Sequence, residues 1–150
     1  MEPSVKGSIL AVALGQLRSL VERGVVTQAD AEAAVGDRLP TAQWDRIAPS
    51  AWYPVTLYDR VLTLMMQRAG GGNTEYLVEL GREAAGVLAR QGIYKQLGRH
   101  APADPDERFV RTLLTLAKAL YSFTQWDLEE FSSDLGWFVI RISGAADYPE

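Results

Sequence analysis

A chain of 150 residues, 47% of them hydrophobic, is long enough to bury one core and suits a single globular domain spanning 1–150. Its formal net charge is −4, and its three Lys and twelve Arg are scattered, with Lys95, Arg99 and His100 the one small concentration; a phosphate backbone meets net repulsion, so nucleic acid is not an expected partner. The absence of cysteine removes disulfides, thiolate catalysis, iron–sulfur ligation and cysteine-containing zinc motifs at once.

Val5 to Leu14 is apolar enough to suggest a secretory segment. Gln16, Arg18, Glu22 and Arg23 follow directly, however, and no small-residue cleavage pattern closes it. The spacing predicts an amphipathic helix from Ser8 to Arg23, with Ile9, Val12, Ala13, Leu17, Leu20 and Val21 on one stripe and Gly24 at its end. No apolar run reaches the roughly 18 residues of a membrane span, and a soluble cytoplasmic protein is the expectation.

Thr27 is placed to cap a short second helix running through Val35, with Asp30 three residues on and Gly36 as the stop. Leu39 to Ile47 reads as a third short turn or helix, in which Trp44 and Ile47 face the core together. Pro49-Ser50-Ala51-Trp52-Tyr53-Pro54 then leads into a helix from Pro54 to Arg68. Pro54 suits a first helical position, where its missing N–H is no loss, and it drives Tyr53 towards an extended backbone. Leu57, Tyr58, Val61, Leu62, Leu64 and Met65 give that helix a wide apolar face.

Gly70-Gly71-Gly72-Asn73 breaks the chain, and Asn73 or Thr74 caps a helix to about Gln91. Tyr76, Leu77, Leu80, Ala84, Val87 and Leu88 form its apolar stripe; Gly81, Ala85 and Ala89 form a small-residue side that another backbone can approach closely. A short extension begins at Gly92 and Tyr94 and ends near Gly98. After the loop from Ala101 to Pro105, Asp104 as cap, Pro105 as the first helical residue and Glu107 start another helix, with Phe109, Leu113, Leu116, Ala117 and Leu120 as core positions.

Past Tyr121 the period falls to two. Gln125 to Glu130 and Leu135 to Ile142, joined by Ser132-Ser133-Asp134, read as a β-hairpin whose second strand is apolar enough to be covered on both faces. The expected fold is α+β, mainly helical, with about six helices followed by a C-terminal hairpin forming a small antiparallel sheet. A lone hairpin exposes one face unless helices or a partner copy cover it.

Groups able to do chemistry are sparse. The triple glycine lacks the Gly-Lys-Ser/Thr ending of a phosphate loop and does not follow a strand. A single histidine, His100, excludes a His-based metal cluster. Asp127, Glu129 and Glu130 are the densest carboxylates, and strand alternation sends Glu130 to the face opposite the other two. No serine stands in a Gly-x-Ser-x-Gly setting. The residue pattern therefore points away from an enzyme, with no catalytic residue, no metal site and no cofactor.

Three short motifs carry a resemblance. Val5-Lys6-Gly7-Ser8, Pro49 to Pro54 followed by Tyr58 and Asp59, and Leu80-Gly81-Arg82 together resemble a family of uncharacterised proteins best represented in myxobacteria, over almost the whole chain. That family implies no established activity. In layout alone the element order is similar to heme-NO-binding and 4-vinyl-reductase-like domains and, through the latter, to small vesicle-tethering subunits. The helix matching the heme-ligating one has no histidine, Phe131-Ser132-Ser133-Asp134-Leu135 stands where the propionate clamp belongs, and no cysteine is present to hold an acyl chain.

Two functions follow as expectations. The first is a non-enzymatic protein-interaction or regulatory module, a homodimer or a binder of another protein, joined through Gly81, Ala85 and Ala89 or through the hairpin edge. The second is a sensor that encloses a small apolar ligand among Trp52, Tyr53, Tyr58 and Tyr94.

Overall fold

A computed structural model describes residues 2–36, 39–91, 95 and 106–144. Among them the fold is mainly helical α+β and closes with an antiparallel hairpin, as the sequence predicts. Strand β1 (Ser4–Lys6) leads into α1 (Gly7–Glu22), α2 (Gln28–Val35) and a 3-10 helix at Thr41–Arg46. Strand β2 (Trp52–Pro54), α3 (Val55–Ala69), α4 (Glu75–Ala89), α5 (Glu107–Lys118), β3 (Gln125–Ser132) and β4 (Trp137–Ser143) complete it.

Where the signals are local, the elements form as their residues dictate. The Thr27 hydroxyl accepts from the Asp30 N–H at 3.0 Å, and Gly36, at φ 73°, ends α2 in a conformation that disfavours a side chain. Trp44 and Ile47 are both buried, and the Trp44 indole donates to the Leu39 carbonyl at 3.2 Å. The core gathers Leu10, Leu14 and Leu17 of α1, Val35 of α2, Val61 and Met65 of α3, and Leu80, which is the one fully buried residue of α4.

Strand β1 has no counterpart in the sequence pattern. It pairs antiparallel with β2 in the register Ser4 to Pro54, Val5 to Tyr53 and Lys6 to Trp52. On its other side Val5 bridges Tyr121, the Lys6 N–H donates to Leu120 O at 2.9 Å, and the Ser122 N–H donates to Ser4 O at 2.9 Å. Pairing with Ser4 holds Pro54 as the last strand residue, with ψ 133°, so α3 starts at Val55 rather than at Pro54. Val5, in the middle, is fully buried.

Two further positions differ from expectation. Helix α5 is capped by Asp106, whose carboxylate accepts from the Phe109 N–H at 2.7 Å; Asp104 and Pro105 lie outside the described residues. Its buried side chains are Val110 and Leu114, while Leu113 is exposed and Phe109, Leu116, Ala117 and Leu120 are half-buried. Among the described elements this helix packs mainly on β3.

The hairpin contains a β-bulge between Leu128 and Glu130. Asp127 pairs with Arg141 and Glu130 with Val139, and since Arg141 and Val139 are two apart on β4, Glu130 shares a face with Asp127 rather than opposing it. The bulge re-phases β3, so Phe131 joins Trp126 and Leu128 opposite Phe138, Ile140 and Ile142. One face is wholly apolar. It is also poorly covered, with Phe138 46% and Ile142 50% exposed, which overturns the expectation of a second strand shielded on both sides.

Gly7 allows the close approach that seats β1 and β2. A Cβ there would stand 2.1 Å from the Ala48 carbonyl oxygen and 2.9 Å from the Tyr53 ring, whereas one at Gly15, in mid-helix, meets nothing within 4 Å. Gly7→Ala is expected to lower stability by about 3 kcal/mol, and Gly15→Ala to raise it by about 0.5–1 kcal/mol. Urea unfolding of the two variants beside the parent checks both signs.

Candidate functional site

The aromatics proposed to enclose a ligand do not share one pocket. Trp52 and Tyr53 are adjacent on a strand and therefore face opposite ways. Trp52 is exposed, with the Lys6 ammonium 3.9 Å from its ring centre and also donating to Ser50 O at 2.8 Å. Tyr53 packs against the core, its hydroxyl accepting from the Ala48 N–H at 3.2 Å. It also lines a surface hollow with Leu57 and Arg60, apart from Tyr58. Tyr94 lies outside the described residues.

The Val5-to-Ser8 and Pro49-to-Pro54 motifs instead meet in one joint. The Gly7 N–H donates to Ala51 O at 2.9 Å, the Ser8 N–H to Pro49 O at 3.1 Å, and the Val55 N–H to Pro3 O at 2.9 Å. The residues that looked most like a binding surface thus clamp the chain start onto the entry to α3. The carbonyls of Pro49 and Ala51 and the Tyr53 hydroxyl are used in doing so.

Tyr58 turns towards a different space. A cavity of about 230 Å³ lies between α1, α3 and α4, walled by Ile9 and Val12 of α1, Tyr58 and Leu62 of α3, and Leu77 and Leu88 of α4. Gly81 and Ala85, read from sequence as an interface, lie along its α4 wall, with Leu120 and Tyr121 also on its lining. Its lining includes no charged side chain. Ala89 is exposed and is not part of it. Sequence spacing identifies the small residues of α4 but carries no sign that Gln16 and Tyr121 would join them.

A second, more open groove of about 590 Å³ runs along α4 between α1 and α4. Tyr76, Arg23 and Glu83 line it, and Gln16 donates to Leu80 O at 3.2 Å and to Glu83 Oε2 at 3.3 Å. Burial pushes the Tyr76 phenol above its ordinary 10.0, and the nearby Glu83 carboxylate adds to that.

Two of the three carboxylates of β3 are tied into ion pairs. Asp127 meets Lys118 at 3.6 Å and Glu129 meets Arg141. Among the described residues no three His, Asp or Glu side chains gather as metal ligands, and no helix is long and apolar enough to cross a membrane. The chain matches no family model, no curated protein and no solved structure.

The raised Tyr76 phenol has a consequence at alkaline pH. The folded state holds this proton more tightly than the unfolded chain, so its stabilising contribution is intact below pH 10.0 and is lost as pH rises through the higher folded value. Tyr76→Phe is expected to give a shallower alkaline fall in Tm than the parent. Melting curves stepped through that range measure the difference.

Proposed function

We propose that this chain is a non-enzymatic interaction module that self-associates through the β3–β4 hairpin. One observation carries the reading: of nine exposed large hydrophobics among the described residues, five, Leu135, Trp137, Phe138, Val139 and Ile142, lie on β4 and its turn. Phe138 and Ile142 are exposed on one face of β4 and Trp137 and Val139 on the other, and a strand apolar and exposed on both faces marks an interaction element rather than scattered surface apolarity.

The chemistry of β4 favours a second copy as the occupant. Edge strands are ordinarily protected by proline, bulges or lysine. Strand β4 has no proline, and its one charge, Arg141, is engaged by Glu129. An antiparallel β4–β4 pairing centred on Ile140 sets Phe138 of one copy opposite Ile142 of the other, on the apolar face. It sets Arg141 opposite Val139, so no like charges meet. The result would be a four-stranded sheet with a continuous apolar face.

Size-exclusion chromatography with light scattering tests this. The parent is expected to be a dimer, and the double variant Phe138→Lys, Ile142→Lys to weaken the association at least tenfold, about 1.4 kcal/mol, with helical circular dichroism unchanged. A monomeric parent would sink the proposal. Ala85→Glu should leave the dimer intact; its loss in that variant would move the interface to α4.

A further inference from the structure

From the cavity between α1, α3 and α4 we infer a binding site for a neutral apolar molecule of about two fused rings. This site is separate from the hairpin and from the Trp52 and Tyr53 joint. The space measures about 230 Å³ and is bounded by three helices of the main body. An enclosed apolar cavity of about 150 Å³ takes up benzene; this space is larger and opens to the surface beside Gly81 and Ala85, so a bicyclic ring system fits with one edge at the opening. Because the lining contains aliphatic and tyrosine side chains with the Gln16 amide, and no charge, a charged ligand would lose its hydration there without compensation.

Gly81 is an independent reason to read this space as a site. A glycine within a helix weakens it, and such a residue is usually explained by another backbone pressing on it. Here a Cβ on Gly81 meets nothing within 4 Å. Among the described residues nothing packs on Gly81, which is exposed and lies on the open side of the cavity's α4 wall. Leu80, beside it, is the buried residue of α4, with Tyr76 and Leu77 also packed against the core, while Ala84 is half-buried and Gly81 and Ala85 are exposed. The small residues Gly81, Ala84 and Ala85 follow these anchors along α4, and the volume beside them is apolar.

Titration of the purified full chain with naphthalene and with indole, followed by methyl NMR, tests the site. Saturable shifts of the Leu77, Leu80 and Leu88 methyls are expected for both probes, with naphthalene-2-sulfonate at least tenfold weaker because of its charge. Gly81→Leu and, independently, Ala84→Leu place a side chain in the volume and should weaken naphthalene binding at least tenfold without lowering Tm. The hairpin variant Phe138→Lys should bind naphthalene as the parent does. Absence of saturable binding in the parent, undiminished binding in a folded Gly81→Leu or Ala84→Leu protein, or loss of binding in Phe138→Lys each overturns the assignment.

Discussion

Everything in the main body is referred to three residues, Ser4 to Lys6. As the middle strand, β1 satisfies its backbone on one side with Trp52–Pro54 and on the other with Leu120–Ser122. Val5 is fully buried between them. An extended segment this short has no stability by itself; it exists because two distant segments and the start of α1 all need its donors and acceptors. The close approach at Gly7 and the Tyr53 hydroxyl on Ala48 fix the angle at which α1 and α3 leave the joint. The packing of α1 on α3, and with it the core of Leu10, Leu14, Val61 and Met65, is built outward from that angle.

What was legible in the sequence follows from the range of each interaction. Thr27, Asp30 and Gly36 act over a few residues, and α2 lies where they place it. The hairpin was legible because alternation is local too, although the turn falls at Ser133 to Gly136, with Ser132 still paired to Trp137 and Leu135 in the turn rather than on the second strand. Its bulge was hidden by a pair of neighbouring acids, Glu129 and Glu130, which make either phase look plausible. The signal was Phe131, which is out of step with Trp126 and Leu128 unless one residue is looped out. Strand β1 was illegible because Ser-Val-Lys carries no periodicity, although the motifs around Gly7 and Trp52 were both conspicuous. Spacing alone does not reveal that two motifs more than forty residues apart are halves of one joint.

The candidate sites divide in the same way. Trp52 and Tyr53 stood out for size and rigidity, and rigidity turned out to describe them: one is capped by Lys6 and the other pins the backbone at Ala48. Tyr58, Gly81 and Ala85 came from separate arguments about ligands and interfaces, yet they line one cavity. Two-faced elements explain why the surfaces were harder to assign. Helix α4 buries only Leu80, and β4 turns its apolar side outward, so neither reaches the degree of burial its composition suggests.

The double pairing of β1 also sets an order of events. Ser4 and Ser122 exchange hydrogen bonds across 118 positions of sequence, so the joint is among the most non-local contacts the chain can make. Closing such a loop costs entropy before any hydrogen bond compensates it, and topologies of this kind form late. During synthesis β1 is made long before Ser122 and lacks one of its partners until Ser122 has emerged. Helices α1 to α4 can condense around the pairing with β2 while Leu120–Ser122 is still awaited, leaving the second edge of β1 as the seam that joins the earlier and later parts of the chain.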